Sequence, residues 1–129
     1  MLAVDIAIIG AGVVGLALAR QLGPQGETIV LEQDVAPGRG VSSRSSEVIH
    51  AGIYFPAPFL KTRLCVEGRR LLYEFCHRYH VPHRRLGKVI VASTPAEEDS
   101  LERLYARGLE NGVEDLRLVG RSGLKVLEP

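Results

Sequence analysis

The chain begins MLAVDIAIIGAGVVGLALA, nineteen residues holding a single charged side chain, Asp5. An export signal needs a basic start, an apolar middle and a small-residue cleavage site. No Lys or Arg precedes Arg20 here, and Asp5 puts a carboxylate where a basic residue belongs. Crossing a bilayer takes about twenty apolar residues, and glycines at 10, 12 and 15 would weaken such a helix. A different reading accounts for every residue. Val4-Asp5-Ile6-Ala7-Ile8-Ile9 is a short apolar run rich in β-branched side chains, as a buried parallel strand requires. Gly10-Ala11-Gly12-Val13-Val14-Gly15 then forms a GxGxxG turn, and Val14 to Leu22 its helix.

Each glycine has a mechanical task. Gly10 turns the chain sharply off the strand, Gly12 leaves room for a pyrophosphate at the backbone, and Gly15 lets helix and strand pack closely. Phosphates then meet unpaired N–H groups and the positive end of a helix dipole. Gly23-Pro24-Gln25-Gly26 stops the helix, and Thr28-Ile29-Val30-Leu31 is a second strand ending at Glu32. An acidic residue about twenty positions on is placed to hold a ribose hydroxyl. Its charge also disfavours a 2′-phosphate. The pattern predicts an ADP-containing dinucleotide on an α/β, Rossmann-like βαβ domain of the FAD/NAD(P)-binding type. A purely structural βαβ unit is the alternative.

At 129 residues, the chain can bury one sizeable core. Charged residues make up 24%, hydrophobic ones 46%, and the net charge is +1. That balance is ordinary for a globular protein and gives no sign of a nucleic-acid partner. Cys65 and Cys76 fall in one expected helix, about 16 Å apart at 1.5 Å per residue. A disulfide needs Cα atoms within about 7 Å. Two reduced thiols and no export pattern give a cytoplasmic location as the expectation.

The stretch Val35 to Ser46 is rich in glycine and serine. A plain nicotinamide-binding unit would pass more directly to its next helix, so this insertion suits a cofactor lying extended across the protein. Its hydroxyls and N–H groups are candidates for the pyrophosphate and the sugar chain beyond it. A solvated connection is the simpler alternative.

AIIGAGVVGLALAR, the strand ending IVLEQ, SSRSSEVIHAGIYFP, LKTRLCVEGRRLLYEFC, VPHRRLGKVIVA and the final LEP complete the pattern. Together they resemble the FAD-dependent L-2-hydroxyglutarate dehydrogenase/oxidase family, within the group that includes D-amino-acid and glycine oxidases. The likeness runs over essentially the whole chain. SEVIHAGIYFP followed by LKTRLC is its most specific part. Ser45 stands where that family carries Asn. Family members are much longer, so the chain resembles the opening part of such an enzyme, expected to be inactive without the remainder.

The resemblance implies FAD as cofactor and a small 2-hydroxy acid, L-2-hydroxyglutarate above all, as substrate. An amine or amino-acid oxidase, or a non-catalytic ADP-binding fragment, is the competing implication. Expected cofactor contacts are Gly10, Gly12, Val13, Val14, Gly15, Glu32, Gln33, Ser42, Ser43, Arg44, Ser45, His50, Ala51, Gly52 and Ile53. The match also places His50 near the flavin ring, as a base, a hydrogen-bond partner of the substrate hydroxyl or an orienting contact. A neutral imidazole suits the first role near pH 7. A satisfied structural histidine is the simpler reading.

Residues 1–84 are read as the FAD-binding part, and 85–129 as the beginning of a β-sheet substrate domain. Leu60 to Tyr79 is an expected helix with Leu64, Gly68, Leu71, Leu72, Phe75 and Tyr79 inward. Arg63, Glu67, Arg69, Arg70, Glu74 and Arg78 mostly fall on its solvated side. Leu86 to Ala92 and Leu116 to Val119 read as strands. Thr94-Pro95-Ala96-Glu97 is a capping box. It opens a helix with Leu101, Leu104, Tyr105, Gly108 and Leu109 inward, stopped at Asn111-Gly112. His77, His80 and His83 form HxxHxxH, but the run leaves a helix and meets Pro82, so no metal site is expected.

Overall fold

A computed structural model describes residues 3–128. Strand β1 (Ile6–Ile9), helix α1 (Val13–Leu22) and strand β2 (Thr28–Leu31) come first. Helices α2 (Leu60–Arg78), α3 (Pro95–Glu110) and α4 (Arg121–Leu127) follow, with short 3-10 turns at Gly23–Gln25 and Val41–Arg44. The chain forms two compact units, one up to Val48 and one from Ile49 onward. No helix among the described residues is long and apolar enough to cross a membrane.

In the first unit β1 and β2 pair in parallel, Ile6 with Thr28 through Ile9 with Leu31. This is the expected Rossmann-like βαβ arrangement, since parallel neighbours need a crossover helix and α1 supplies it. Asp5, the residue that spoils an export signal, has a structural task. Its Oδ2 accepts from the Glu27 N–H at 2.9 Å, just before β2 begins. Ile8 is buried, whereas Ile9 is 89% exposed. The apolar run of β1 therefore has one of its two faces covered by the described residues.

In the second unit α3 carries the expected capping box in full. Thr94 Oγ1 accepts from the Glu97 N–H, and the Glu97 carboxylate accepts from the Thr94 N–H at 3.0 Å. The Ser93 N–H, first in weight, and both Thr94 contacts hold the Glu97 carboxyl below its ordinary value. Thr94→Ala should lower stability by about 1 kcal/mol, the usual loss of an N-cap hydroxyl. A denaturant titration reads this directly, and an unchanged midpoint would remove the cap from the account.

Leu101, Leu104, Tyr105 and Gly108 turn inward as expected, whereas Leu109 is exposed. Helix α2 departs further from expectation. Thr62 and Cys76 are buried, with Val66, Arg69 and Tyr73 half-buried between them. Leu64, Leu71, Leu72 and Tyr79 are all exposed instead. Two contacts rotate the helix this way. Thr62 Oγ1 donates to Pro56 O at 2.7 Å, and the Val66 side chain fills the space beside Gly52. Arg69, read as solvated, is turned toward Asp115 at 3.7 Å. Cys65 and Cys76 are free thiols.

The expected strands at 86–92 and 116–119 are not formed among the described residues. A strand needs a ladder partner for its N–H and C=O groups, and neither segment finds one. Both instead line a cavity of about 300 Å³, whose walls include Leu86, Ile90, Leu104 and Leu116. Helix α4, two turns after Gly120, occupies a stretch where the sequence pattern suggested no element.

Candidate functional site

The site in the first unit is built from the glycine-rich turn outward. Gly10 has φ +95°, a left-handed conformation that β-branched residues avoid. Its N–H donates to Leu31 O at 2.7 Å, which ties the turn to the end of β2. A Cβ on buried Gly15 would overlap the backbone carbonyl oxygen of Gly10. Close packing of α1 on the turn therefore requires a hydrogen at that position.

Gly12 is the N-cap of α1 and offers no side-chain cap. The first N–H groups of a helix have no partner within it; here another segment supplies an acceptor for one of them, and Glu32 holds the N–H of the residue before the cap. Ser42 Oγ accepts from the Val13 N–H at 2.9 Å. Glu32 Oε2 accepts from the Ala11 N–H at 2.6 Å, while its Oε1 accepts from the Asp34 N–H at 3.0 Å. The Gly38 N–H donates to Ala11 O at 2.9 Å, so the loop after β2 is folded back onto the turn. A Cβ on Gly12 would lie 3.2 Å from Ser42 Oγ. Three separate segments thus meet at the start of α1.

Glu32 is held ionised. The Asp34 N–H, then the Ala11 N–H, lower its carboxyl from the ordinary value of 4.5. A carboxyl lowered on folding stabilises the fold above its unfolded value, and that contribution fades as pH falls through the lowered one. At neutral pH both oxygens accept hydrogen bonds and retain further lone pairs. Glu32 can therefore accept from a sugar hydroxyl without giving up Ala11 or Asp34.

The other expected contacts divide by position. Val13 and Val14 point their side chains outward, leaving backbone N–H groups as their polar contribution to the turn. The Ser43 hydroxyl donates to Arg39 O and Gly40 O, both at 2.9 Å, and so shapes the loop. Ser45 Oγ accepts from the Glu47 N–H at 3.3 Å. Gln33 and Arg44 are exposed.

His50, Ala51, Gly52 and Ile53 belong to the second unit. Ile53 is a core side chain there, 6% exposed. His50 is half-buried, stacked on Phe55 with ring centres 5.5 Å apart and edge-on to Tyr54 at 5.9 Å. Its Nδ1 accepts from the Gly52 N–H at 2.9 Å. Gly52 is buried with φ +92°. Around this turn stand residues that sequence reasoning did not single out. Asn111 Nδ2 donates to Gly52 O and Phe55 O, and Arg107 Nη1 donates to Tyr54 O at 3.1 Å. Lys88 Nζ donates to the Tyr54 hydroxyl at 2.9 Å. The only signal at Asn111 was the Asn-Gly pair, which reads as a helix stop and says nothing of a contact across more than fifty residues.

The three histidines of HxxHxxH are dispersed in role. His77 sits in the last turn of α2, His80 lies beyond it at φ +55°, and His83 Nδ1 contacts Val81 O at 2.8 Å.

A parallel βαβ unit with a left-handed first glycine, a side-chain-free N-cap and an acidic residue at the second strand's end defines a dinucleotide-binding unit of Rossmann type. Residues 5–129 match the DAO family, described as FAD dependent oxidoreductase, and the chain belongs to that family. It is 46% identical over 127 residues to a mitochondrial L-2-hydroxyglutarate dehydrogenase of Arabidopsis thaliana, covering 98% of this chain and 26% of that protein. The enzymes of the same name from Nematostella vectensis and Homo sapiens are 43% and 42% identical over 128 residues, covering 97% of this chain and 28% of each of them. The chain thus spans about a quarter of the length of the curated relatives it matches. Their names place them in mitochondria, which overturns the cytoplasmic expectation. Reduced thiols and the lack of an export pattern were its only grounds, and both are equally compatible with a mitochondrial enzyme.

Proposed function

We propose that this chain is the N-terminal, nucleotide-binding part of an FAD-dependent dehydrogenase that oxidises L-2-hydroxyglutarate to 2-oxoglutarate. The observation that carries the nucleotide reading is the Glu32 carboxylate, ionised and fixed at the Ala11 N–H beside the start of α1. The substrate reading is supported by identity of 42–46% to L-2-hydroxyglutarate dehydrogenases along nearly the whole chain. Gly10, Gly12 and Gly15 keep the turn open, and the first N–H groups of α1 favour a pyrophosphate. Glu32 would accept from the ribose. Gln33, Ser42, Ser43, Arg44, Ser45 and the His50–Ile53 turn are the proposed contacts along the rest of the cofactor.

When bound, the flavin supplies the electron acceptor for the hydrogen at C2 of the hydroxy acid. The residues of this chain bind and orient. Residues 1–84 are proposed as the FAD-binding part and 85–129 as the start of the substrate domain, whose remaining strands would pair with 86–92 and 116–119.

In the full-length enzyme, Glu32→Ala should weaken FAD binding about ten- to a hundredfold, the scale for losing hydrogen bonds to a charged acceptor. Fluorescence titration of apoprotein with FAD measures it, and unchanged affinity would remove Glu32 from the site. The function itself is tested by mixing the full-length holoenzyme with substrate anaerobically. L-2-Hydroxyglutarate should bleach the flavin band. Bleaching by glycine or a D-amino acid alone would refute the substrate assignment.

A further inference from the structure

Resting on that reading of the site, we propose that Asn111 is the positioning residue that fixes His50 as an Nε2–H donor and so excludes His50 as the base. Asn111 is the C-cap of α3, and its Nδ2 donates to Gly52 O at 2.7 Å and to Phe55 O at 2.9 Å. One amide thus clamps both ends of the Gly52–Phe55 turn. Its orientation is unambiguous, because the reverse would set Oδ1 against two carbonyl oxygens. Among the described residues, Oδ1 is buried without a partner. An orphan acceptor costs stability, so the amide earns its place through its two donors.

The clamped turn in turn aims Gly52. Its φ of +92° and the Val66 side chain, 2.6 Å from where a Cβ would sit, leave glycine the fitting residue. The Gly52 N–H then points at His50 Nδ1, 2.9 Å away, while Phe55 stacks on the ring. A backbone N–H can only donate, so Nδ1 must be the acceptor and the ring proton resides on Nε2. For His50 to take a proton from a substrate hydroxyl at Nε2, that nitrogen would first have to lose its own. The proton would then sit on Nδ1, facing the Gly52 N–H. An Nε2–H donor suits oxygen or nitrogen that carries or develops negative charge. The proton of the substrate hydroxyl must therefore pass to another group.

The test uses the full-length holoenzyme labelled with 15N-histidine, with His50→Gln to assign the His50 signals. The wild-type protein should show Nδ1 unprotonated and Nε2 protonated in the absence of substrate. Asn111→Leu, and Asn111→Ser as a smaller polar variant, should convert this to a tautomer mixture. Their kcat with L-2-hydroxyglutarate should fall about ten- to a hundredfold, the scale of an ångström-sized misplacement. FAD content and KM should stay within about threefold. Protonated Nδ1 in the wild type overturns the proposal, whether or not the variants fold. So does an unchanged tautomer with unchanged kcat in either variant. If the wild type fails to oxidise hydroxyglutarate, the functional reading fails, while the tautomer spectrum still decides the role of His50.

Discussion

Gly15→Val should abolish FAD retention by the full-length enzyme and lower its melting temperature more than any other single change in the first unit. The added side chain would begin on top of the Gly10 carbonyl oxygen, a backbone atom with little room to yield. Gly10 is already committed twice, by its left-handed φ and by its N–H bond to Leu31 O. Relief would have to come from α1 lifting off the turn. That would separate the Val13 N–H from Ser42 and displace the helix start from Glu32 and Ala11. Overpacking costs about 1–3 kcal/mol in a yielding core, and a backbone neighbour places this site at the upper end or above. Gly68→Ala, inside α2, is the control. Gly68 is exposed and helical, with nothing within 4 Å of its Cβ position. That variant should be more stable by about 0.4–1 kcal/mol, through the unfolded chain. Calorimetry and the absorbance of bound flavin separate the two. A Gly15→Val protein that melts and binds flavin like the wild type would show that the packing argument is wrong.

The same contrast explains how far the sequence could be read. In the first unit the decisive features each carry a sequence signature at a set spacing. An apolar β-branched run, a glycine pattern and an acidic residue at a set distance each have one good structural solution. The two strands and their helix accordingly form where the pattern put them. The capping box of α3 is legible for the same reason, since Thr94 and Glu97 satisfy each other within one turn. The rest depends on partners that spacing does not reveal. The apolar line of α2 pointed to Leu64, Leu71 and Leu72 as core, but the helix follows Thr62 and Val66 because Pro56 and Gly52 engage them. Residues 86–92 and 116–119 have strand composition, yet composition cannot provide a ladder. At the candidate site, Glu32 and Ser42 could be anticipated from the dinucleotide pattern. Asn111 and Arg107 could not, because their bonds to the 52–55 turn join segments more than fifty residues apart.

His50→Ala in the full-length enzyme should lower kcat about 10²–10³-fold while the protein keeps its fold and its flavin. That range is the usual loss when one donor to developing negative charge is removed. The fold should survive because the half-buried ring bonds one neighbouring N–H and packs on Phe55, whereas Asn111 and Arg107 independently hold the turn. The size of the loss alone does not separate a donor from a base, since general-base catalysis covers about 10²–10⁴. The replacement does. Glutamine places an amide N–H near the position of Nε2 and has no basic nitrogen. His50→Gln should therefore recover much of the lost turnover if His50 donates, and none of it if His50 accepts the substrate proton. Stopped-flow reduction of the bound flavin by L-2-hydroxyglutarate isolates the relevant step from later electron transfer. Equal and severe slowing in His50→Ala and His50→Gln, with flavin content intact, would restore the base and sink the donor. Reduction at the wild-type rate in His50→Ala would leave the imidazole as a packing group between Tyr54 and Phe55.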